Sequence, residues 1–469
     1  MPQTRHPCVS LLLICSFLSI CLIPSVFSEK DEDPTIKTMH QFSGYQTSEP
    51  ESCFSDSLSS LSVDAESLQK QIDELATFSD SPPPSVTRVL YTDKDVAARR
   101  YIKNLMGLSG LSVREDAVGN IFGQWEGHEP ELGAVATGSH IDAIPYSGKY
   151  DGVVGVLGAI EAINVLKRAG FKPKRSLEVI MFTSEEPTRF GISCLGSRLM
   201  AGSESLEKAL KNIFDSQNVS FLDAARSAGY ALDQDDFSSV FLKSGAYSGF
   251  VELHIEQGPL LEAEGIPIGV VTAIAAPASI KVDFEGEGGH AGAVLMPNRN
   301  DAGLAAAELA LAVEKHVLAS GSIDTVGTVG ILDLHPRAVN SIPSKAHLEI
   351  GTSCLPSFPT PFLFLAILVS PEWWSKQEKG KETAFSWRFF WGIIGAMEDA
   401  SRELNLKYKL MVSRAYHDSL FMARVSPMGM IFIPCYKGYS HKPEEHATKE
   451  DMANGVKVLA LALAKLSLS

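Results

Sequence analysis

Four short apolar runs in this 469-residue chain each lead into a cluster of histidines and carboxylates. "ELGAVATGSHID" reaches His140 and Asp142, and Asp151 follows in "GKYDG". "SLEVIMFTSEE" ends in Glu185 and Glu186, "ELHIEQG" holds His254, and "IFIPCYKGYSHKPEE" leads to His441. Runs this short, between turn residues, read as buried strands rather than helices. Helical patterns lie between them, among them "GVVGVLGAIEAINVLKRAG", stopped by Gly170. Strand, helix, strand with polar strand exits predicts an α/β layered sheet. Ligands of such sheets bind beyond the carboxyl ends of the strands, so the clusters are expected at one sheet edge.

The residue types in those clusters permit two readings. Imidazoles with several carboxylates suit zinc, Mn²⁺ or a pair of metals that share a carboxylate. Paired metals activate water and clamp a developing oxyanion. Tandem Glu185 and Glu186 could divide labour, one as ligand and one as base. The ordinary reading is a set of polar strand ends, because single histidines and paired glutamates are common on solvated surfaces. Residue type alone leaves both open.

Organisation along the chain is uneven. Residues 1–28 read as a secretory signal: Arg5, then the apolar "VSLLLICSFLSICLI", then Val26 and Ser28 before a polar stretch. A retained anchor is the rival, but the apolar run is short for a span of ~20 residues. Residues 29–60 are a polar, flexible leader. Residues 61–270 carry the first part of the α/β domain. Residues 271–350 hold alternating strands around "NDAGLAAAELALAVEKHVLA", which reads as an amphipathic helix. Together they form an inserted α+β module. Residues 397–469 return to the first domain and close with a helix.

Net charge is −15, which disfavours nucleic acid and anionic membrane as partners. Three of seven cysteines fall in the signal, and Cys53, Cys194, Cys354 and Cys435 are too dispersed for a disulfide framework. One glycosylation sequon, "NVS" at Asn218, is usable if the chain enters the secretory pathway.

Longer motifs narrow the reading. "TGSHIDAIPYSGKYDGVVGVLGAIEA", "FTSEEPTRFGISCLGSR", "ELHIEQGP", "GEGGHAGA" and "YSHKPEE" closely resemble the M20-type di-metal amidohydrolases. The branch is that of the allantoate, N-carbamoyl-amino-acid and ureidoglycolate amidohydrolases. The resemblance covers about residues 60–350 and 397–469. It implies a discontinuous, di-metal peptidase-like α/β domain, a mixed sheet between helices, with an inserted α+β dimerisation or lid domain.

It also implies roles. His140, Asp151, Glu186, His254 and His441 would hold two Mn²⁺ ions per subunit. His140 and His254 would serve different metals, and Asp151 would bridge them. Glu185 would be the general base, and Asp142 would support catalysis by orienting His140. His290 would reach the substrate from the partner of a homodimer. Gln257, Asn340, Tyr416 and His417 match substrate-contacting positions, and Glu185, Glu186, His254 and His441 border the same substrate. Packing for Tyr416 and a turn role for Asn340 are the plain alternatives. The implied reaction is hydrolysis of a ureido C–N bond. Ureidoglycolate is the expected substrate, with allantoate or an N-carbamoyl amino acid next. The signal directs the chain to the endoplasmic reticulum.

One stretch departs from the family. Relatives continue "HLEI" with an "IDTRD"-like run whose arginine binds the substrate carboxylate. Here Gly351 stands for the aspartate and Ser353 for the arginine, and serine cannot supply a guanidinium's bidentate contact. Residues 351–396 carry four of the five tryptophans and read as translated non-coding sequence, with a genuine insertion as the rival. The expectation is a truncated inserted module, weak dimerisation and an impaired enzyme.

Overall fold

The computed structural model describes residues 61–230, 237–354 and 391–469. The signal, the leader, Cys53 and most of the atypical segment lie outside the described residues.

Eight strands form one mixed sheet in the order β14-β8-β15-β7-β4-β6-β3-β2. They are β2 (Ser112–Glu115), β3 (Ile121–Trp125), β4 (Ala134–His140), β6 (Leu177–Phe182), β7 (Tyr247–Ile255), β8 (Ile268–Ile274), β14 (Tyr408–Ser413) and β15 (Met428–Ile433). The middle four, β15-β7-β4-β6, run parallel to one another. β6 and β15 are buried along their whole length. Parallel strands covered on both faces give such near-continuous apolar runs, which is why they were legible in the sequence. β1 (Val86–Arg88) and β5 (Ala143–Ser147) form a separate antiparallel ribbon.

Helices cover both faces. One face carries α1 (Ala65–Ala76), α2 (Asp93–Leu108), α3 (Val153–Arg168), α7 (Trp391–Glu403) and α8 (Lys449–Leu468), whose apolar side chains share a core with the sheet. α3 is buried nearly all round. The other face carries α4 (Leu195–Met200), α5 (Phe221–Ser227) and an aromatic group that includes Phe190 and Phe237. α1 starts at Asp64, whose side chain accepts from Ser67 N at 2.9 Å. α2 is capped by Thr92, whose Oγ1 accepts from Asp95 N.

The second sheet has three antiparallel strands, ordered β11-β13-β9. They are β9 (Ala276–Glu285), β11 (Val326–His335) and β13 (Lys345–Cys354), with α6 (Ala302–Ala319) against one face. A two-residue ribbon joins β10 (Gly289–His290) to β12 (Ser341–Ile342). Three expected boundaries move. The large sheet continues through Ile274, so the insertion begins at Ala276 rather than residue 271. β13 keeps register to Cys354, four residues into the atypical segment. α7 begins at Trp391, and Ile393, Ile394 and Ala396 are buried there, so the segment's last residues belong to the packed domain.

α6 also differs from its reading. Ala302, Ala306 and Val313 face the small sheet, but Leu304, Leu311 and Leu318 stand exposed at seven-residue spacing on the other side. The helix is apolar on two faces, not amphipathic. No described helix is long and apolar enough to cross a membrane.

Candidate active site

The carboxyl ends of the parallel strands deliver the site. His140 is the last residue of β4, and Glu185 and Glu186 follow β6 by three and four residues. His254 is the penultimate residue of β7, and His441 lies in the loop after β15. Asp151 comes from the loop that opens α3. Non-glycine residues with positive φ gather here: Ser184 at 53°, Gln257 at 54° and His441 at 60°. Such backbone is sparsely populated and concentrates at functional sites.

Asp151 is the centre. Its Oδ1 lies 3.1 Å from His254 Nε2 and 3.6 Å from His140 Nε2. Its Oδ2 lies 3.4 Å from His441 Nε2, which is 2.9 Å from Glu186 Oε1. Two donor groups therefore share Asp151, one of His140, Asp151 and His254, the other of Asp151, Glu186 and His441. Within each group the ligand atoms lie within 4.8 Å of one another. His140 and His254, expected on different metals, stand on the same side of Asp151. The sheet order explains it, because β4 and β7 are neighbours and bring their histidines together.

The groups fit a metal pair by the chemistry of their donors. Nδ1 of His254 faces the Ile255 carbonyl at 2.8 Å, and Nδ1 of His140 faces the Asp142 carbonyl at 3.2 Å. Each imidazole so anchored turns Nε2 inward, the arrangement metal-binding histidines use. Burial pushes the Asp151 carboxyl up, but His140 and His254 hold it well below the usual range. Burial lowers His441, yet Glu186 and Asp151 push it up to about 9.

Asp142 acts on the glutamates as well as on His140. Its Oδ1 accepts from Glu185 N at 3.1 Å and its Oδ2 from Glu186 N at 2.9 Å. It thus fixes the backbone of the tandem pair while lying 3.5 Å from His140 Nδ1. Glu185 Oε2 is 3.9 Å from His140 Nε2, and its Oε1 accepts from the Cys194 thiol at 3.2 Å. Burial, with Glu186 nearby, raises the Glu185 carboxyl well above its ordinary value.

Of the expected substrate contacts, Gln257 and His417 join the cluster. Gln257 Nε2 donates to Asp151 Oδ2 at 2.7 Å, and its Oε1 is buried without a partner among the described residues. The His417 ring lies edge-on to His254, 4.5 Å between centroids, and burial keeps it neutral. Tyr416 packs its ring against Phe421. His290 lies on the β10/β12 ribbon and Asn340 directly before β12, where Ala291 N donates to the Asn340 carbonyl. Neither makes a hydrogen bond or ion pair to the cluster.

Three contributors escaped the sequence reading. Ser440 donates to Asp151 Oδ2. Glu252 lies two residues before His254 on the same face of β7, and its buried carboxylate accepts from Ser139 and Ser419 hydroxyls. The i, i+2 spacing was the available signal. Glu445, inside the "SHKPEE" run, accepts from Tyr150 N at 2.7 Å and Asp151 N at 2.9 Å through one oxygen. Its chain leaves no room for a Cβ at Gly148, which would fall 2.4 Å from Glu445 Cβ.

Comparison with known proteins gives the family. A model of peptidase family M20/M25/M40 matches residues 136–465. Ureidoglycolate hydrolase of Arabidopsis thaliana is 68% identical over 477 residues, covering 99% of each chain. The crystal structure of AtUAH in complex with glyoxylate superposes with a TM-score of 0.80 at 70% identity, covering 88% of this chain and 100% of that one. Its complex with (S)-hydroxyglycine gives 0.79 at 69% identity, with the same coverage.

Proposed function

Since this chain belongs to peptidase family M20/M25/M40, we propose that it is a metal-dependent amidohydrolase that converts ureidoglycolate to glyoxylate, two ammonia and CO2, a late step in recovering purine nitrogen. The observation that carries the reading is the buried Glu185 carboxylate beside two donor groups that share Asp151. The substrate assignment draws on the full-length likeness to the Arabidopsis thaliana hydrolase. The glyoxylate and (S)-hydroxyglycine complexes of AtUAH are what the end and the middle of this reaction require.

His140, Asp151 and His254 would hold one divalent cation, and Asp151, Glu186 and His441 a second. A pair of Mn²⁺ ions there would supply an acidified water and an electrophile for the ureido carbonyl. Glu185 takes the proton of the attacking water, which suits a carboxyl whose affinity for protons burial has raised. Asp142 keeps Glu185 and Glu186 aimed by holding both backbone N–H groups. Glu185 then passes its proton to the departing ammonia. The carbamate loses CO2, and hydroxyglycine releases the second ammonia to leave glyoxylate.

Homodimer formation belongs to the same proposal. The exposed stripe Leu304, Leu311, Leu318 on α6 and the apolar edge strand β11, with Ile331, Leu332 and Leu334 exposed, form a face suited to a second copy. A partner seated there would bring its His290 toward the cluster and complete the oxyanion contacts. The N-terminal apolar run supports entry to the endoplasmic reticulum.

A second reading is favoured by one feature. β13 carries Gly351 and Ser353 where an aspartate and an arginine were expected, so these two positions supply no guanidinium for the carboxylate of the substrate. That reading is an impaired isoform. Purified protein assayed with ureidoglycolate, allantoate and N-carbamoyl amino acids, with and without Mn²⁺, tests both. Glyoxylate from ureidoglycolate alone, dependent on added metal, is expected. Turnover of allantoate or a carbamoyl amino acid in its place overturns the substrate. Full metal occupancy with no turnover selects the impaired isoform.

A further inference from the structure

We propose that Asn218 carries an N-linked oligosaccharide, an inference that rests on the lumenal location proposed above. Asn218-Val219-Ser220 is the one Asn-x-Ser/Thr triplet in the chain, and valine at its centre permits modification.

The fold presents this triplet at the tip of a tight, self-supporting loop. Phe214 and Ser220 pair as an antiparallel bridge. Asp215 N donates to the Val219 carbonyl at 2.9 Å, and Asn218 N to the Asp215 carbonyl at 3.0 Å. Asp215 Oδ1 accepts from Gln217 N and Val219 N, each at 2.9 Å, while Oδ2 is paired with Arg189 at 2.8 Å. The loop thus has its hydrogen bonds met from within, and Asn218 is not needed for them through its side chain. Asn218 is exposed with φ of 62°, a conformation asparagine tolerates better than most residues. Its carboxamide makes no hydrogen bond to a described residue. Ser220 is committed to capping α5, accepting from Asp223 N at 3.1 Å and donating to Asp223 Oδ2 at 2.6 Å.

These features are what an attached glycan demands of a folded protein. Glycan addition joins Asn218 Nδ2 to C1 of an oligosaccharide carried on a lipid diphosphate. The C1–O bond to the phosphate breaks, the lipid diphosphate leaves, and Nδ2 gives up one proton. Nδ2 keeps one N–H and breaks no contact in the loop. None of the loop's hydrogen-bond partners is a residue of the active site, so the sugar and the catalytic cluster do not compete.

Translation of the full chain with endoplasmic-reticulum microsomes tests this. Two readouts are needed: protection from added protease, which reports entry, and a mobility step removed by endoglycosidase H, which reports the sugar. The expected result is a protected chain with one such step. The step is absent from Asn218→Gln and Ser220→Ala and retained in Ser220→Thr. A protected wild-type chain without the step overturns the Asn218 assignment while sparing the lumenal reading. A wild-type chain that stays open to protease overturns the lumenal reading and the glycan with it. A step that survives in Asn218→Gln assigns the sugar elsewhere and also overturns the proposal.

Discussion

Gly152→Ala is expected to weaken one donor group and leave the other. Gly152 caps the N-terminus of α3 with φ of 64°, a left-handed conformation. An alanine there costs ~1–2 kcal/mol in backbone strain. Its Cβ would land 2.4 Å from Cδ2 and Nε2 of His140 and 2.6 Å from Cε1. The ring must retreat by about 1 Å to restore ordinary contact. It has no soft direction, since His140 is 1% exposed and its Nδ1 is held by the Asp142 carbonyl. Overpacking of this kind adds ~1–3 kcal/mol. The predicted loss of stability is therefore ~2–5 kcal/mol. Displacing Nε2 should lower affinity ~10–100-fold for a cation that His140, Asp151 and His254 would hold. The three atoms nearest to that Cβ all belong to His140, so the Glu186–His441 side should keep its affinity. Titration of metal-free protein with Mn²⁺ in a calorimeter reads the two sites, and urea denaturation reads stability. A variant with the wild-type midpoint and two unchanged sites would refute the steric reasoning.

Glu445→Ala should cost ~2–4 kcal/mol by stranding two buried N–H groups, while Glu445→Gln, which keeps a carbonyl oxygen, should cost much less. Equal denaturation midpoints for the two variants would remove the hydrogen bonds as the cause. Arg88 is fully buried and donates to the carbonyls of Phe78, Leu75 and Ile141, so Arg88→Met should cost ~3–5 kcal/mol. A loss below ~1 kcal/mol would show those carbonyls find other partners. His441 is pushed up to about 9 in the metal-free chain, above an unfolded value near 6.5. Its contribution to stability is complete below about pH 6.5 and fades as pH rises through about 9. Metal must displace that proton, so affinity should climb with pH up to about 9. Calorimetry at pH 7 in buffers of unlike protonation enthalpy should reveal proton release, and its absence would contradict the assignment of His441 as a ligand.

What the sequence made legible was what the sheet repeats four times: a buried strand, then a polar exit. His140, Glu185, Glu186, His254 and His441 could be picked out because parallel strands are apolar to their ends and their carboxyl ends are where chemistry is placed. Their grouping was not legible. Chain order runs β4, β6, β7, β15, whereas the sheet runs β15, β7, β4, β6. That rearrangement puts His254 beside His140 and leaves Glu186 to meet His441. The exposed leucines of α6 were hidden for another reason. An apolar helix looks alike whether its second face meets a core or water, and only the small sheet, covering one side, tells them apart.

The bond from Glu445 to Tyr150 and Asp151 spans 295 and 294 positions of sequence. A ribosome that has finished the first donor group still has His441, Ser440, Glu445 and α8 to make. The nascent chain therefore holds His140, Asp151 and His254 without the clasp that sets Asp151 between two groups. A competent site is assembled only after synthesis is nearly over. A metal that needs both donor groups would then be taken up by the released protein, and the ions at hand there would compete for the site.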